Sequence, residues 1–371
     1  MSDTSPLFAP FRLGDLSLPH RIVMAPMTRN RASSGKVPSR LAAEYYGQRA
    51  GAALIITEST EVDPLSVGEP PTRPGIVTDA QAAGWQRVTA AVHKGGGRIF
   101  LQLSHMGRAA LPHQLSHGGA PRGPSAGTPA ATHYTATGPV PYAEAGELTI
   151  GEVREAVAQF GRAAALAKSV GFDGVELHGA NGYLIDQFLR DGSNRRRDAY
   201  GGSADKRFGF LAEIIEAALV HWPAGRVGVR FSPTNPFQDM ADSDPVRHFS
   251  HFAERLNEYH LAYLHVVEYP VQRPDRPEVA RYLRETFEGP FIAAEGFSRE
   301  AGEQWLRDGR ADLIAYGKHY LANPDLAERW WRGAALNEPD KATFYTTGGK
   351  GYTDYPTLPE AMLEDAVRLA K

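Results

Sequence analysis

The chain has 371 residues, of which 42% are apolar and 22% charged, a net charge of −3 and no cysteine. That length can bury a large core, and the missing cysteines exclude disulfides, thiolate catalysis, iron–sulfur clusters and cysteine-ligated zinc. No basic stripe points to nucleic acid or an anionic membrane and no apolar run reaches spanning length. MSDTSPLFAPF lacks the parts of a secretory leader, so a cytoplasmic protein is expected.

In chain order, short β-branched runs alternate with amphipathic helical patterns. RIVMAP (21–26) and LIITEST (54–60) read as strands, DAQAAGWQRVTAAVHK (79–94) as a helix, and RIFLQLS (98–104) as the third strand. The Pro-, Gly- and His-rich segment 106–147 is too long for an ordinary connection. It is expected to lie over one end of the fold and has room for a hairpin. TIGEVREAVAQFGRAAALAKSV (149–170) resumes the helical period, with Thr149 and Glu152 spaced as a capping box. Then come GVELHG (174–179), RVGVRFS (226–232), YLHVVEY (263–269), FIAAEG (291–296), the helix SREAGEQWLRDG (298–309) with a weaker cap at Ser298, and DLIAYG (312–317). Most of these strands are continuously apolar, as parallel strands buried on both faces are. Eight such strands alternating with helices predict an α/β protein: a (β/α)8 barrel, read as a single domain over 1–371, ahead of an open doubly wound sheet. Residues 335–371 are expected to pack on the barrel as a tail. Trp330 and Trp331 suit an interface or the core, and monomer and homo-oligomer stay open.

Barrel active sites lie at the C-terminal ends of the strands. Those ends carry Thr28, Ser59, Gln102 with His105, His178 with Asn181, Arg230, Glu268, Gly296, and Gly317 with Lys318. Loops after the seventh and eighth strands often bind phosphate. Here EGFS (295–298) and YGKH (316–319) either do so or merely end strands with glycine. Arg230 either faces a ligand or pairs with a carboxylate such as Glu268. Gln102 can match a heterocycle edge or satisfy a loop. His178 and Asn181 share a side if the chain continues as a helical turn, and both can donate to one oxygen. Tyr183 adds an O–H suited to general acid catalysis. Together at one strand end, these three favour function over packing.

Other patterns point elsewhere. HQLSH (113–117) has helical metal-ligand spacing but sits in a Pro/Gly-rich loop without a carboxylate, so no metal is expected. GGG (95–97) precedes a strand, whereas a dinucleotide fingerprint follows one. The basic cluster in SNRRR (193–197) reads as a solvated loop or a ligand rim.

The segments APMTR (25–29), AEYYGQRA (43–50), ITEST (56–60), QLSHMGR (102–108), HGANGYLIDQFLRDGSNRRRDAYGGS (178–203), VGVRFSP (227–233), YGKHYLANPDL (316–326) and GYTDYP (351–356) resemble, in order and over nearly the whole chain, the old yellow enzyme family of FMN-dependent ene-reductases. The 178–203 block is the most specific. The resemblance implies noncovalent FMN and NAD(P)H as hydride donor. Pro26 and Thr28 would lie under the flavin, Ser59 and Gln102 at its pyrimidine edge, and Arg230 near N1 and the C2 carbonyl. Gly296, Phe297, Gly317 and Lys318 would hold the phosphate. His178 and Asn181 would bind a carbonyl or nitro oxygen of an activated alkene, Tyr183 would protonate it, and Tyr352 would cover it. The implied reaction is hydride transfer to Cβ and proton transfer to Cα.

Two positions depart from the family pattern. Lys318 replaces an arginine and supplies charge without a planar fork. Ser104 replaces the tryptophan that walls the substrate pocket, which predicts a wider pocket unless the 106–147 segment fills it. Two other readings remain: an aldolase or isomerase for a phosphorylated substrate on the same barrel, and a flavin-binding protein without physiological turnover. The related dienoyl-CoA reductases are disfavoured by the missing cluster cysteines.

Overall fold

The computed structural model describes residues 5–67, 72–135, 138–268, 278–294 and 296–359. Expectations for residues 269 and 295 and for the end of the tail, 360–371, lie outside the described residues. The strands are β1 (Ile22–Met24), β2 (Leu54–Ile56), β3 (Ile99–Ser104), β4 (Gly174–Gly179), β5 (Val227–Phe231), β6 (Tyr263–Val267), β7 (Phe291–Ala294) and β8 (Leu313–Tyr316). Each is parallel to the next, and β8 pairs with β1, so the sheet closes into an eight-stranded barrel. A short strand, Thr60–Glu61, extends the β2 side and pairs with the end of β3.

The helices are α1 (Arg40–Gly47), α2 (Asp79–Lys94), α3 (Ile150–Ser169), α4 (Leu184–Leu189), α5 (Ala204–Leu219), α6 (Pro245–Asn257), α7 (Val279–Thr286), α8 (Arg299–Arg307), α9 (Lys318–Ala322) and α10 (Leu326–Arg332). The expected capping box opens α3: Glu152 N–H donates to Thr149 Oγ1 at 3.2 Å, and Thr149 N–H donates to Glu152 Oε2 at 2.7 Å. Ser298 caps α8 through Ala301 N–H. The segment after β3 carries the antiparallel strands Thr132–Thr135 and Gly138–Pro141.

Strand alternation divides the core in two. Outward residues such as Leu101, Leu177, Val229 and Val266 pack under the helices. Inward residues such as Val23, Leu54, Ile56, Phe100, Tyr263, Ile292 and Leu313 join Leu13, Leu16 and Leu18 of an N-terminal hairpin. Phe100 and Tyr263 stack with centroids 5.9 Å apart, although β4 and β5 lie between their strands. They meet because their register partners there are Gly174 and Gly228. A Cβ at Gly174 would overlap the Phe100 ring, and one at Gly228 the Tyr263 ring.

The basic cluster is solvated only in part: Arg195 and Arg197 are exposed, but Arg196 is not. Arg196 is buried, and its guanidinium donates to the carbonyls of Pro124 at 3.0 Å and Leu148 at 2.6 Å while pairing with Asp198. It fastens the post-β3 segment to the β4 side. The chain beyond α10 is held by Arg29, which donates to the Gly351 carbonyl at 2.9 Å, and by Arg31, which donates to those of Thr343 (2.8 Å), Gly348 (2.9 Å) and Lys350 (3.0 Å). Arg29 is in turn set by Glu58, whose Oε2 accepts from Arg29 N–H at 2.9 Å. Burial pushes the Glu58 carboxyl up from 4.5 to about 7, against the opposing pull of Arg29 and the Asn30 N–H.

Two outcomes follow. Gly228→Ala should lower stability by about 1–3 kcal/mol, as overpacking does; a denaturation midpoint equal to wild type would show that the Tyr263 ring moves aside freely. For Glu58, the folded state keeps a proton that the unfolded chain releases, so stability falls as pH rises from 4.5 to about 7 and then levels. Relative to Glu58→Gln, the wild type should lose up to about 3 kcal/mol across that window, at ~1.4 kcal/mol per pK unit. Parallel urea titrations of the two proteins would detect it.

Candidate active site

The same alternation turns Gln102, Ser104, Glu176, His178, Arg230 and His265 inward near the C-terminal ends of β3 to β6. Register sets Gln102 beside Glu176, His178 beside Arg230, and Arg230 beside His265. Gln102 Nε2 donates to Glu176 Oε1 at 2.7 Å, and His265 Nδ1 lies 2.8 Å from Glu176 Oε2. Both members of the Glu176–His265 pair are fully buried. Burial holds His265 below its usual range, so a neutral imidazole donates to the carboxylate. Burial opposes ionisation of Glu176 as well, but His265, Arg230 and Gln102 outweigh it and keep its carboxyl low. Glu176 was not singled out in the sequence; its inward parity between Val175 and Leu177 was the available signal.

His178 is 2% exposed, and its Nδ1 is buried without a hydrogen-bond partner among the described residues. Burial pushes the imidazole well below its ordinary range, and the neighbouring Arg230 cation pushes it further. It is therefore neutral at neutral pH and can donate one N–H without carrying charge.

The chain after His178 is not the helical turn that three-residue spacing suggested. Asn181 and Gly182 adopt φ of 57° and 74°, and α4 starts only at Leu184. Three tertiary bonds hold Asn181 in that left-handed conformation. Its N–H donates to Ser232 Oγ at 2.8 Å, its carbonyl accepts from Gln238 Nε2 at 2.8 Å, and its Oδ1 accepts from Asn235 Nδ2 at 2.9 Å. The side-chain NH2 is left as a donor among the described residues. The turn brings Tyr183 back over His178, with ring centroids 5.2 Å apart. His178, Asn181 and Tyr183 thus share one mouth by tertiary support rather than by helical periodicity.

Arg73 was missed. It is buried, pairs with Glu61 at 2.6 Å, donates to Ser59 Oγ at 3.2 Å and lies 5.0 Å over the Tyr183 ring. Glu61 is the register partner of Ser104. Ser104 itself has no accessible surface, and its hydroxyl is buried without a partner. An open pocket beside Ser104 is therefore not what the structure shows. The proposed Arg230–Glu268 pairing is also not the use of Glu268, whose two oxygens accept from Val279 and Ala280 N–H at 2.6 and 2.8 Å at the start of α7.

Pro26 and Thr28 are half-buried on the loop after β1. Met27, between them, would touch a Cβ at Gly317 after β8. Gly296 is exposed at φ 66° with nothing within 4 Å of a Cβ position, so a ligand can approach its backbone. Phe297 packs edge-on against Trp305 at 4.9 Å, and Lys318 is exposed. Tyr352 stands apart: it is fully buried, stacked on Tyr45 at 4.1 Å, with Arg31 4.6 Å from its ring. Covering a substrate would require that ring to leave its stack.

These residues fit a flat heterocycle with a phosphate tail. Gln102 retains an amide carbonyl acceptor, Arg230 supplies a cation, the unpartnered His178 nitrogen faces a polar need, and Gly296 leaves backbone open.

Comparison with known proteins agrees. Residues 6–337 match the NADH:flavin oxidoreductase / NADH oxidase family. The chain is 43% identical over 362 residues to 12-oxophytodienoate reductase 1 of Oryza sativa subsp. japonica, covering 96% of this chain and 94% of the rice protein. It is 40% identical over 361 residues to a Leishmania infantum protein named "Probable flavin mononucleotide-dependent alkene reductase", covering 95% and 97% of the two chains. Among solved structures, morphinone reductase in complex with tetrahydroNAD superposes with a TM-score of 0.88 at 42% identity, covering 96% of this chain and 98% of that one. The old yellow enzyme homologue from Zymomonas mobilis gives 0.91 at 39% identity, covering 95% and 99%. This chain belongs to the NADH:flavin oxidoreductase / NADH oxidase family and is an FMN-dependent oxidoreductase of the old yellow enzyme type.

Proposed function

We propose that the protein uses NAD(P)H to reduce the activated C=C bond of α,β-unsaturated carbonyl or nitro compounds. The observation that carries this is the neutral, unpartnered His178 nitrogen in the same mouth as the Asn181 amide and the Tyr183 ring. When bound, FMN would supply the chemistry of hydride transfer between nicotinamide and alkene. Pro26, Thr28, Ser59, Gln102 and Arg230 would hold its ring system, and Gly296, Phe297, Gly317 and Lys318 its phosphate.

The protein's own groups do the rest. His178 and Asn181 each offer one N–H to the substrate oxygen. Charge that builds there on reduction is stabilised by fixed donors in a site with little water. A neutral imidazole suits this role, because burial removes its charge and leaves one N–H to donate. Arg190 fixes the turn that aims Asn181: it pairs with Asp186 at 2.8 Å, and Asp186 accepts from Gly182 N–H at 2.8 Å. Tyr183 carries the proton for Cα at its hydroxyl. The Arg73–Glu61 pair, with Ser104 itself covered, would border the substrate where relatives in the resemblance carry tryptophan. Tyr352 would act from behind Tyr45 and the loop after β1 unless its ring swings out.

Lys318 is exposed, unlike the desolvated lysine that Schiff-base chemistry needs, so an aldolase reading finds no support. No helix among the described residues is long and apolar enough to cross a membrane. A cysteine-free chain suits the reducing cytoplasm.

Steady-state oxidation of NADPH with 2-cyclohexenone tests the reaction class directly. Tyr183→Phe should leave flavin reduction by NADPH nearly unchanged and slow enone turnover by about 10²–10⁴-fold. Nitroalkenes should suffer less, because the nitronate can take its proton from water. Equal losses in both half-reactions, followed by stopped flow, would assign Tyr183 a structural role instead. In a separate check, a phenol such as p-hydroxybenzaldehyde should place its oxygen on His178 and Asn181 and give a long-wavelength band with the flavin. The His178→Ala/Asn181→Ala double variant should lack the band, and an unchanged spectrum would remove both residues from the oxygen site.

A further inference from the structure

Glu176 is a fully buried carboxylate inside the barrel. Apolar side chains would fill that space without the desolvation that a charge incurs. Its register partner on β5 is Gly228, which has no side chain, so the carboxylate reaches across β5 to His265 on β6. Its other oxygen holds the Gln102 amide on β3 at 2.7 Å. Arg230, the next inward residue of β5, is the register partner of both His178 and His265. One carboxylate therefore lies among the amide, the cation and the histidine assigned to FMN and substrate.

The geometry constrains Gln102. With its NH2 turned onto Glu176, its carbonyl oxygen remains as the acceptor. The flavin pyrimidine ring carries an imide N–H that such an acceptor matches. The charge has a second effect. Two-electron reduction places negative charge at that end of the flavin, which Arg230 favours and Glu176 opposes.

We propose that Glu176 is a positioning residue for FMN. It fixes the Gln102 amide with its carbonyl facing the imide N–H, and its charge offsets Arg230, holding the reduction potential of the bound flavin below the value Arg230 alone would set. This rests on the placement of FMN against Gln102 and Arg230 given above. Charge and length can be separated. Glu176→Gln removes the charge and keeps an acceptor for Gln102. Glu176→Met removes both at similar length; it strands no charge on His265, which is neutral, and leaves Arg230 as the cation whose effect the titration reads. Glu176→Asp keeps the charge but is too short to serve β3 and β6 together.

The experiment is a dye-equilibrated reductive titration of each FMN-loaded protein, with FMN dissociation followed by flavin fluorescence. Glu176→Gln and Glu176→Met should favour reduced over oxidised FMN by about tenfold, a shift of about +30 mV for two electrons. Glu176→Met should also bind oxidised FMN more weakly. Glu176→Asp should keep the wild-type potential while releasing FMN more readily. If Glu176→Gln does not fold, Glu176→Met decides the charge effect. Unchanged potentials in the charge-free variants overturn the proposal, as does a shift in Glu176→Asp equal to that in Glu176→Gln. A wild-type protein that cannot bind FMN would instead overturn the placement of the flavin, a result separable from all of these.

Discussion

A polar side chain that points into the closed barrel is cut off from solvent by the strands, so a partner inside stabilises it and a group without one carries a cost. That constraint arranges the interior in layers. Toward the N-terminal end of the strands the filling is apolar, with Phe100 stacked on Tyr263 and capped by the leucines of the N-terminal hairpin. Toward the C-terminal end it is a linked polar set, Gln102, Glu176 and His265, beside Arg230 and His178. Glycine belongs to both layers. Gly228 leaves room for the Tyr263 ring and also lets Glu176 reach His265. A larger residue there would crowd the apolar layer and interrupt the polar one.

The turn after β4 converts that layered interior into a site. A left-handed asparagine is uncommon and persists where its surroundings hold it. Ser232, Asn235 and Gln238, all from the chain after β5, bond to Asn181. The Asp186–Arg190 pair, fully buried, fixes Gly182 from the other side. Two adjacent barrel units therefore determine where the Asn181 amide points. His178 needs no such brace, because it is still on the strand. Its neutrality comes from burial first and from the Arg230 cation second.

What could be read from the sequence was what repeats locally. The strand over 174–179 and the helix over 79–94 have the bounds their patterns suggested, and the capping box at Thr149 forms with the spacing that announced it. Eight alternating units were enough to give barrel closure, and with it the strand-end positions of Gln102, His178 and Arg230. What could not be read was set by partners far along the chain. Arg196 sits in a run that reads as solvated, yet its carbonyl partners are Pro124 and Leu148. Glu268 looked like a counter-ion and is a helix cap. Tyr352 lies in a motif of the resemblance, but its burial follows from Tyr45 and the arginines at 29 and 31. In each case a cationic or carboxylate group is committed by contacts that no periodicity encodes.

Ser104 shows how such long-range commitments alter a local inference. Replacing a large aromatic by serine removes apolar volume, and an unfilled cavity would be destabilising. The structure leaves no accessible surface at Ser104. Its cross-strand partner Glu61 instead holds Arg73, whose guanidinium spans to Ser59 and lies on the Tyr183 ring. A buried ion pair is weak evidence of stability by itself, since desolvation offsets much of its attraction. Here the guanidinium has a hydroxyl and an aromatic face as further partners, and those contacts are what make a charged group tolerable in that place. The edge of the mouth is thereby polar and anchored from two strands. Tyr183 is braced by a cation on its ring and by His178 beneath it, so the position of its hydroxyl depends on Glu61 and Arg73 as much as on its own turn.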